Sequence, residues 1–150
     1  MRHRIQFATL IALLAATALA GFARREETIE ELKARVESAR PEERPGLCTE
    51  IARRQVESAD ELYTQGKVEA ALASVRDAVS YSEKAAEAAL QSGKKLKHTE
   101  IALRKTAHRL EDIKHALSFE DQAPVQAAHD RLEQLRTQLL NRMFGKEAKD

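Results

Sequence analysis

Three side chains that could bind a transition metal lie along one predicted helix. His108, Asp112 and His115 are spaced at i, i+4 and i+7, which places them on one helix face. His98 lies about three turns earlier on nearly the same face. Imidazole and carboxylate suit zinc or copper, but the two histidines at i and i+7 are about 10 Å apart along the axis. We expect a solvated face with no bound metal, and a metal site bridged by Asp112 or by a second chain is the alternative.

The motifs that position catalytic groups do not occur in the sequence. It contains no glycine-rich phosphate loop, no G-x-S-x-G turn, no H-E-x-x-H pair and no plausible pairing of its cysteine with a histidine. Carboxylates instead alternate with basic residues at helical spacing, as in the run Glu50, Arg53, Arg54 and Glu57, where local pairing favours a helix. We therefore predict that the protein is not an enzyme and holds no cofactor.

Cys48 is the single cysteine of the chain. It cannot form an internal disulfide, and its neighbours do not give a metal-binding spacing. Because Ala52, Val56 and Ala59 follow it at helical intervals, we predict that Cys48 is a small buried core residue. An intermolecular disulfide is the alternative.

The N-terminus has the layout of a secretory signal. Two arginines precede a mostly apolar run over residues 5–22, and charged residues follow from Arg24 onward. Ala18 and Ala20 fit the A-x-A rule for cleavage before residue 21. We predict a signal peptide over residues 1–20, with a second cleavage position after residue 23.

Export is the localisation that this segment predicts, most simply to a periplasm. Secretion is one alternative. Retention in an inner membrane is another, because residues 5–23 make a 19-residue stretch and a spanning helix needs about 20 residues. We expect contact with a membrane only if that segment is retained. A lipid anchor is not expected, since no cysteine directly follows the apolar run.

The mature chain has almost no net charge. Cleavage after residue 20 removes two of the 25 Lys and Arg residues, leaving 23 against 24 Asp and Glu. Such a balance predicts no strong attraction to nucleic acid, and with two Tyr, four Phe and no Trp the chain offers few stacking surfaces for bases. The remaining length suits one domain, over residues 24–144, followed by a frayed tail at 145–150.

The fold is predicted to be all-α. Ala, Leu, Glu, Lys, Arg and Gln dominate, and no long stretch alternates with period two. A capping box at Thr28 and Glu31 starts a short first helix, and Gly66 and Gly93 end two long ones. The stretch SFEDQAP reads as a turn, with Pro124 at the first positions of the last helix. We expect an antiparallel helical bundle of about four long helices plus a short N-terminal helix.

The fourth helix carries a leucine every seven residues. The four positions are Leu96, Leu103, Leu110 and Leu117. A dimeric leucine zipper needs apolar residues at both a and d, and here only one of the two positions is consistently apolar. The pattern therefore favours packing inside the molecule, with a homodimer as the alternative.

The segment ELYTQGKVEAAL resembles the middle of a tetratricopeptide repeat. The matching positions are Tyr63, Gly66, Ala71, Leu72 and Ala78. The resemblance covers residues 55–82, but Ala59 and Glu83 replace the usual glycine and closing proline, and no second copy lies 34 residues away in either direction. Since an array needs about three units, the resemblance implies one repeat-like hairpin within a bundle.

The longer stretch from ARPEERPGL to QAAHDRLEQL is similar to a family of uncharacterised bacterial exported helical proteins. This resemblance implies export and transfers no functional residue. We predict an exported, non-catalytic interaction or scaffold protein with an unknown protein partner, which binds near Tyr63 and Gln65 on the repeat-like hairpin. A metal-binding envelope protein using the histidine face and a signal-anchored, membrane-associated bundle are the alternatives.

Overall fold

The computed structural model describes residues 25–145. Its helices are α1 Ile29–Ser38, α2 Arg44–Thr64, α3 Val68–Ser92, α4 Leu96–Ala116 and α5 Phe119–Phe144. No strand occurs within residues 25–145, so the prediction of an all-α bundle with a short first helix is confirmed. The predicted signal peptide and nearly all of the predicted tail lie outside the described residues. Within residues 25–145, no helix is long and apolar enough to cross a membrane.

Local capping explains where the first three helices begin or end. The amide of Glu31 donates to the Thr28 hydroxyl at 3.2 Å, and the Thr28 amide donates to the Glu31 carboxylate at 2.7 Å. This is the predicted capping box. Gly66 and Gly93 have φ of 73° and 66°, a left-handed conformation that disfavours residues with a Cβ, and each ends a helix as predicted.

The predicted start of the last helix is wrong. The segment SFEDQAP is not a turn, because α5 already begins at Phe119. The Ser118 hydroxyl contacts the Asp121 carboxylate at 2.8 Å, and Glu120 and Asp121 lie in the first turn, where negative charge favours a helix. Pro124 lies in the second turn, where it lacks the amide that would donate a hydrogen bond to the carbonyl of Glu120.

The four long helices form two antiparallel hairpins, α2 with α3 and α4 with α5. The hairpins stack so that α2 lies beside α4 and α3 beside α5, while no Cα atoms of α2 and α5 come within 8 Å of each other. Ion pairs join Asp60 to Arg109 and Glu83 to Arg131, each at similar distances along the two helices. Both helix pairs between the hairpins are therefore parallel.

One hydrophobic core joins all four long helices. The helix α3 contributes mainly alanines to this core, and three of them are at most 1% exposed: Ala78, Ala86 and Ala89. The helix α4 contributes Leu103 and Leu110, with Leu96 and Leu117 at the edge of the same cluster. The heptad leucines of α4 thus pack within the molecule.

A second, smaller cluster holds α1 against the bundle. Leu32 and Val36 of α1 pack with Cys48, Ile51 and Ala85. These apolar contacts place the first helix across α2 and α3.

Candidate functional site

The two histidines of the alternative metal site, His108 and His115, do not share an acidic partner. His108 Nδ1 lies 3.3 Å from Asp112 Oδ2, whereas His115 Nε2 lies 2.9 Å from Glu111 Oε1. The two imidazole side chains are 78% and 68% exposed, so this part of α4 is a solvated face. Between residues 25 and 145, no three His, Cys, Asp or Glu side chains are grouped so that they could hold a metal ion.

Glu111 is a contact point that the sequence did not reveal. Its carboxylate accepts a hydrogen bond from Lys114 Nζ at 2.7 Å, and His129 Nε2 of α5 lies 4.0 Å from Oε2. The hydrogen bond from Lys114 lowers the pKa of Glu111, against the opposing effect of partial burial. A lysine already neutralises this carboxylate, which makes it a poor ligand for another cation.

Cys48 is a core residue, as predicted. Its exposure is 1%, and it packs with the apolar cluster that joins α1 to the bundle. Burial raises the pKa of the thiol to about 11. Because the thiolate is the nucleophile, Cys48 is a structural residue in this fold.

The two predicted partner-binding residues have different environments. The ring of Tyr63 packs against the main core, and its hydroxyl is buried with no hydrogen-bond partner among residues 25–145. Burial raises the pKa of this phenol, with a smaller effect from Asp121. Gln65 is exposed beside Gly66 in the turn after α2, where a partner can reach it.

A well-defined groove lies between α2 and α4, and we call it the α2/α4 groove. It encloses about 530 Å³. It is lined on the α2 side by Gly46, Thr49, Glu50, Arg53, Val56 and Glu57, and on the α4 side by His98, Ile101, Ala102, Lys105, Thr106 and Arg109. Val56 is buried, and Ile101 and Ala102 are partly exposed. The groove therefore has an apolar floor between two polar rims.

The α2 rim is internally neutralised. Arg53 donates to both oxygens of Glu50 at 2.9 and 2.7 Å and to Glu57 at 2.5 Å. Arg54 donates to Glu50 at 2.6 Å. The hydrogen bonds from Arg53 and Arg54 lower the pKa of Glu50, against the opposing effect of burial. The carboxylates of this rim are therefore already paired with arginines of α2.

The α4 rim carries cations that are not neutralised in the same way. Arg109 binds Asp60 at one end of the groove, and the other basic side chains of α4 that lie within ion-pair distance of a carboxylate are His108, Lys114 and His115. In the part of the chain that the structure describes, Lys105 and His98 form no ion pair, although both are exposed.

Further unpaired cations surround the start of α4. The ammonium of Lys95 lies 3.6 Å from the position that a Cβ on Gly46 would occupy, so it reaches the near end of the groove. Lys94, Lys97 and Arg104 are exposed and make no ion pair within the described range. The α4 side of the groove is therefore electropositive.

A second groove lies on the opposite side of the bundle, between α3 and α5. It encloses about 380 Å³ and is mostly apolar, with Arg76 and Arg131 at its edges. Arg131 binds Glu83 at 2.7 Å, whereas Arg76 is exposed and forms no ion pair among residues 25–145. This α3/α5 groove offers matched control positions for tests of the α2/α4 groove.

Comparison of the chain with protein-family models, curated proteins and solved structures finds no match.

Proposed function

We propose that the chain is an exported, non-catalytic interaction protein that binds a protein partner in the α2/α4 groove. The observation that carries this proposal is the groove itself, with its apolar floor and polar rims on two long, packed helices. Side chains held on rigid helices present a partner with a fixed surface. The buried thiol and the widely exposed histidines fit this function better than a catalytic one.

The shape of the groove fits a protein segment. It runs along two parallel helices from Gly46 to Glu57 and from His98 to Arg109, and the α4 rim is therefore about 16 Å long. A groove between helices commonly binds an amphipathic segment, whose apolar side chains pack against the floor of the groove. Ile101 and Ala102 are the accessible apolar floor positions.

The turn after α2 is proposed as a secondary contact region. Gln65 is exposed there, and Tyr63, two residues earlier, packs its ring against the core. A partner that extends beyond the Asp60–Arg109 end of the groove would reach this turn.

Site-specific photocrosslinking in the native cell envelope tests the proposal. A photoreactive amino acid replaces Ala102 in the α2/α4 groove and, as the matched control, Ala127 in the α3/α5 groove. We expect one discrete protein adduct from position 102 and none from position 127. Addition of Ile101→Glu should remove the adduct, because a carboxylate on the floor opposes apolar docking. Equal adducts from both positions, or none from position 102, would contradict the proposal.

Mass spectrometry of the N-terminus tests export in the same preparation. A mature chain that begins at Gly21 or Arg24 would support signal cleavage. A chain that keeps Met1 would instead support the membrane-anchored alternative.

A further inference from the structure

We infer that the segment bound by the α2/α4 groove is acidic and amphipathic, and that Lys105 and Lys95 select it by charge. This inference rests on the proposed function, since it specifies the partner of the same groove.

The charges on the two rims are asymmetric. On the α2 rim, the two carboxylates Glu50 and Glu57 are already paired with two arginines, Arg53 and Arg54, so this rim offers a partner little net charge. On the α4 rim, Lys105 is an exposed cation without an ion pair in the described chain, and Lys95 extends toward Gly46 at the near end. A ligand that lies in the groove thus meets positive charge mainly from α4.

The single carboxylate of this part of α4 does not offset these cations. Glu100 is 7% exposed and faces α5, where Arg136 Nη2 donates to it at 2.8 Å. Arg136 therefore compensates the negative charge of Glu100 inside the bundle. From residue 94 to residue 105, every exposed Lys, Arg, Asp or Glu side chain is a lysine or an arginine.

The helix ends act in the same direction. The parallel helices α2 and α4 both begin at the Lys95 end of the groove, and neither has an acidic residue in its first turn. Helix N-termini carry partial positive charge. This contribution adds to that of the lysines at the near end, where the carboxylate at the N-cap of α2, Glu43, is already bound to Arg40 at 2.6 Å.

The spacing of the cations defines the segment further. Lys95 and Lys105 are ten residues apart on α4, or about 15 Å along the axis. A helical partner of about three turns spans that distance, with acids repeated at i and i+4 or i+7 along one edge and small aliphatic residues beside them.

A flat anionic membrane is a weaker match. It would meet the exposed outer cations Lys94, Lys97 and Arg104, but a planar surface cannot enter a groove whose floor lies between two helices. The apolar floor then remains uncovered. A protein segment uses both the charged rim and the floor.

Selection from a random library of peptides of about 12 residues, the length that covers the rim, tests the inference on the full mature chain. We expect the recovered peptides to be enriched in Asp and Glu, with aliphatic residues at helical spacing. Their affinity should fall by about fivefold or more for Lys105→Glu, the range expected for reversing one exposed ion pair. The control Arg76→Glu, in the α3/α5 groove, should change it by less than about twofold.

The dependence of peptide binding on salt and on competing ligands distinguishes an acidic segment from other ligands of the groove. Peptide binding should weaken as ionic strength rises, because exposed charges are screened. Peptides that bind in the groove without an excess of acids, or that bind Lys105→Glu unchanged, would overturn the inference while leaving the proposed function intact. If the selection recovered no peptide whose binding is lost in the Ile101→Glu variant, both the inference and the proposed function would be overturned. If vesicles of anionic phospholipid displaced the peptides, the ligand of the groove would be a membrane surface and not an acidic segment. If self-association of the chain displaced them, the ligand would be a second copy of the chain.

Discussion

Replacing Arg136 should destabilise the bundle more than replacing its partner Glu100. Arg136 of α5 donates through Nε and Nη2 to one oxygen of Glu100, at 3.0 and 2.8 Å. It also donates through Nη1 to both oxygens of Glu133 at 2.7 Å. Arg136 thus has two acidic partners, whereas Glu100 has one basic partner within residues 25–145.

Burial sets the magnitude of the two effects. The side chain of Glu100 is 9% exposed and that of Arg136 is 17% exposed. Arg136→Met leaves a buried carboxylate without a cation, which typically costs about 3–5 kcal/mol of unfolding free energy. Glu100→Gln leaves Arg136 bound to Glu133, so we expect a loss of about 1–2 kcal/mol, the range for one hydrogen bond to a charged group. The double variant Glu100→Leu/Arg136→Met removes both charges and should come within about 1–2 kcal/mol of the wild type.

Urea unfolding at pH 7, followed by circular dichroism, measures these differences. The decisive comparison is which of the two single variants has the lower free energy of unfolding. If Arg136→Met lost less stability than Glu100→Gln, or if the double variant were the least stable of the three, the assignment of Glu100 as a buried charge held by one arginine would be refuted.

Four further outcomes follow from single residues. Burial raises the pKa of Cys48 to about 11, so its reaction with a thiol reagent at pH 8 should be at least about a hundredfold slower than in the unfolded chain; equal rates would contradict its burial. Thr99→Val should raise the unfolding free energy by up to about 1 kcal/mol, because the buried Thr99 hydroxyl has no hydrogen-bond partner in the described chain; urea unfolding would show a loss if that hydroxyl were paired. Lys95→Gly should stabilise by about 0.5–1 kcal/mol, since Lys95 has φ of 57°, and a lower midpoint of urea unfolding would argue against that backbone conformation. Ala78→Leu should cost about 1–3 kcal/mol in urea unfolding by overpacking the core, whereas the exposed control Ala127→Leu should change stability by less than about 0.5 kcal/mol.

Local signals in the sequence predict the helices well where capping depends on neighbouring residues. The capping box at Thr28 and the left-handed glycines Gly66 and Gly93 are determined within a few residues, so the prediction is correct there. At Pro124 the local rule fails. The acidic first turn favours an earlier start of α5, and the helix tolerates one missing hydrogen bond in its second turn.

The candidate site depends on contacts that are distant in sequence. Periodicity on α4 indicates that Lys105 lies away from the leucine stripe, but not that α2 runs beside it in parallel. The same limit applies to Glu100, whose burial is understandable only with Arg136, 36 residues later. Even within one helix, periodicity does not decide the partner: His115 contacts Glu111 and not Asp112, because residues three and four positions away both lie within reach.

The distribution of small residues explains why the larger groove opens beside α4. The buried alanines of α3 let the two hairpins approach closely through the core. On the α2/α4 side, Arg53 and its acids project along one rim and Lys105 along the other; these long charged side chains keep their ends in water and do not fill the space between the helices. Gly46 adds no side chain at the near end, and only the Asp60–Arg109 pair bridges the far end. The same helix composition that closes the core therefore leaves an apolar channel under the unpaired cations of α4, which is the surface that an acidic partner can use.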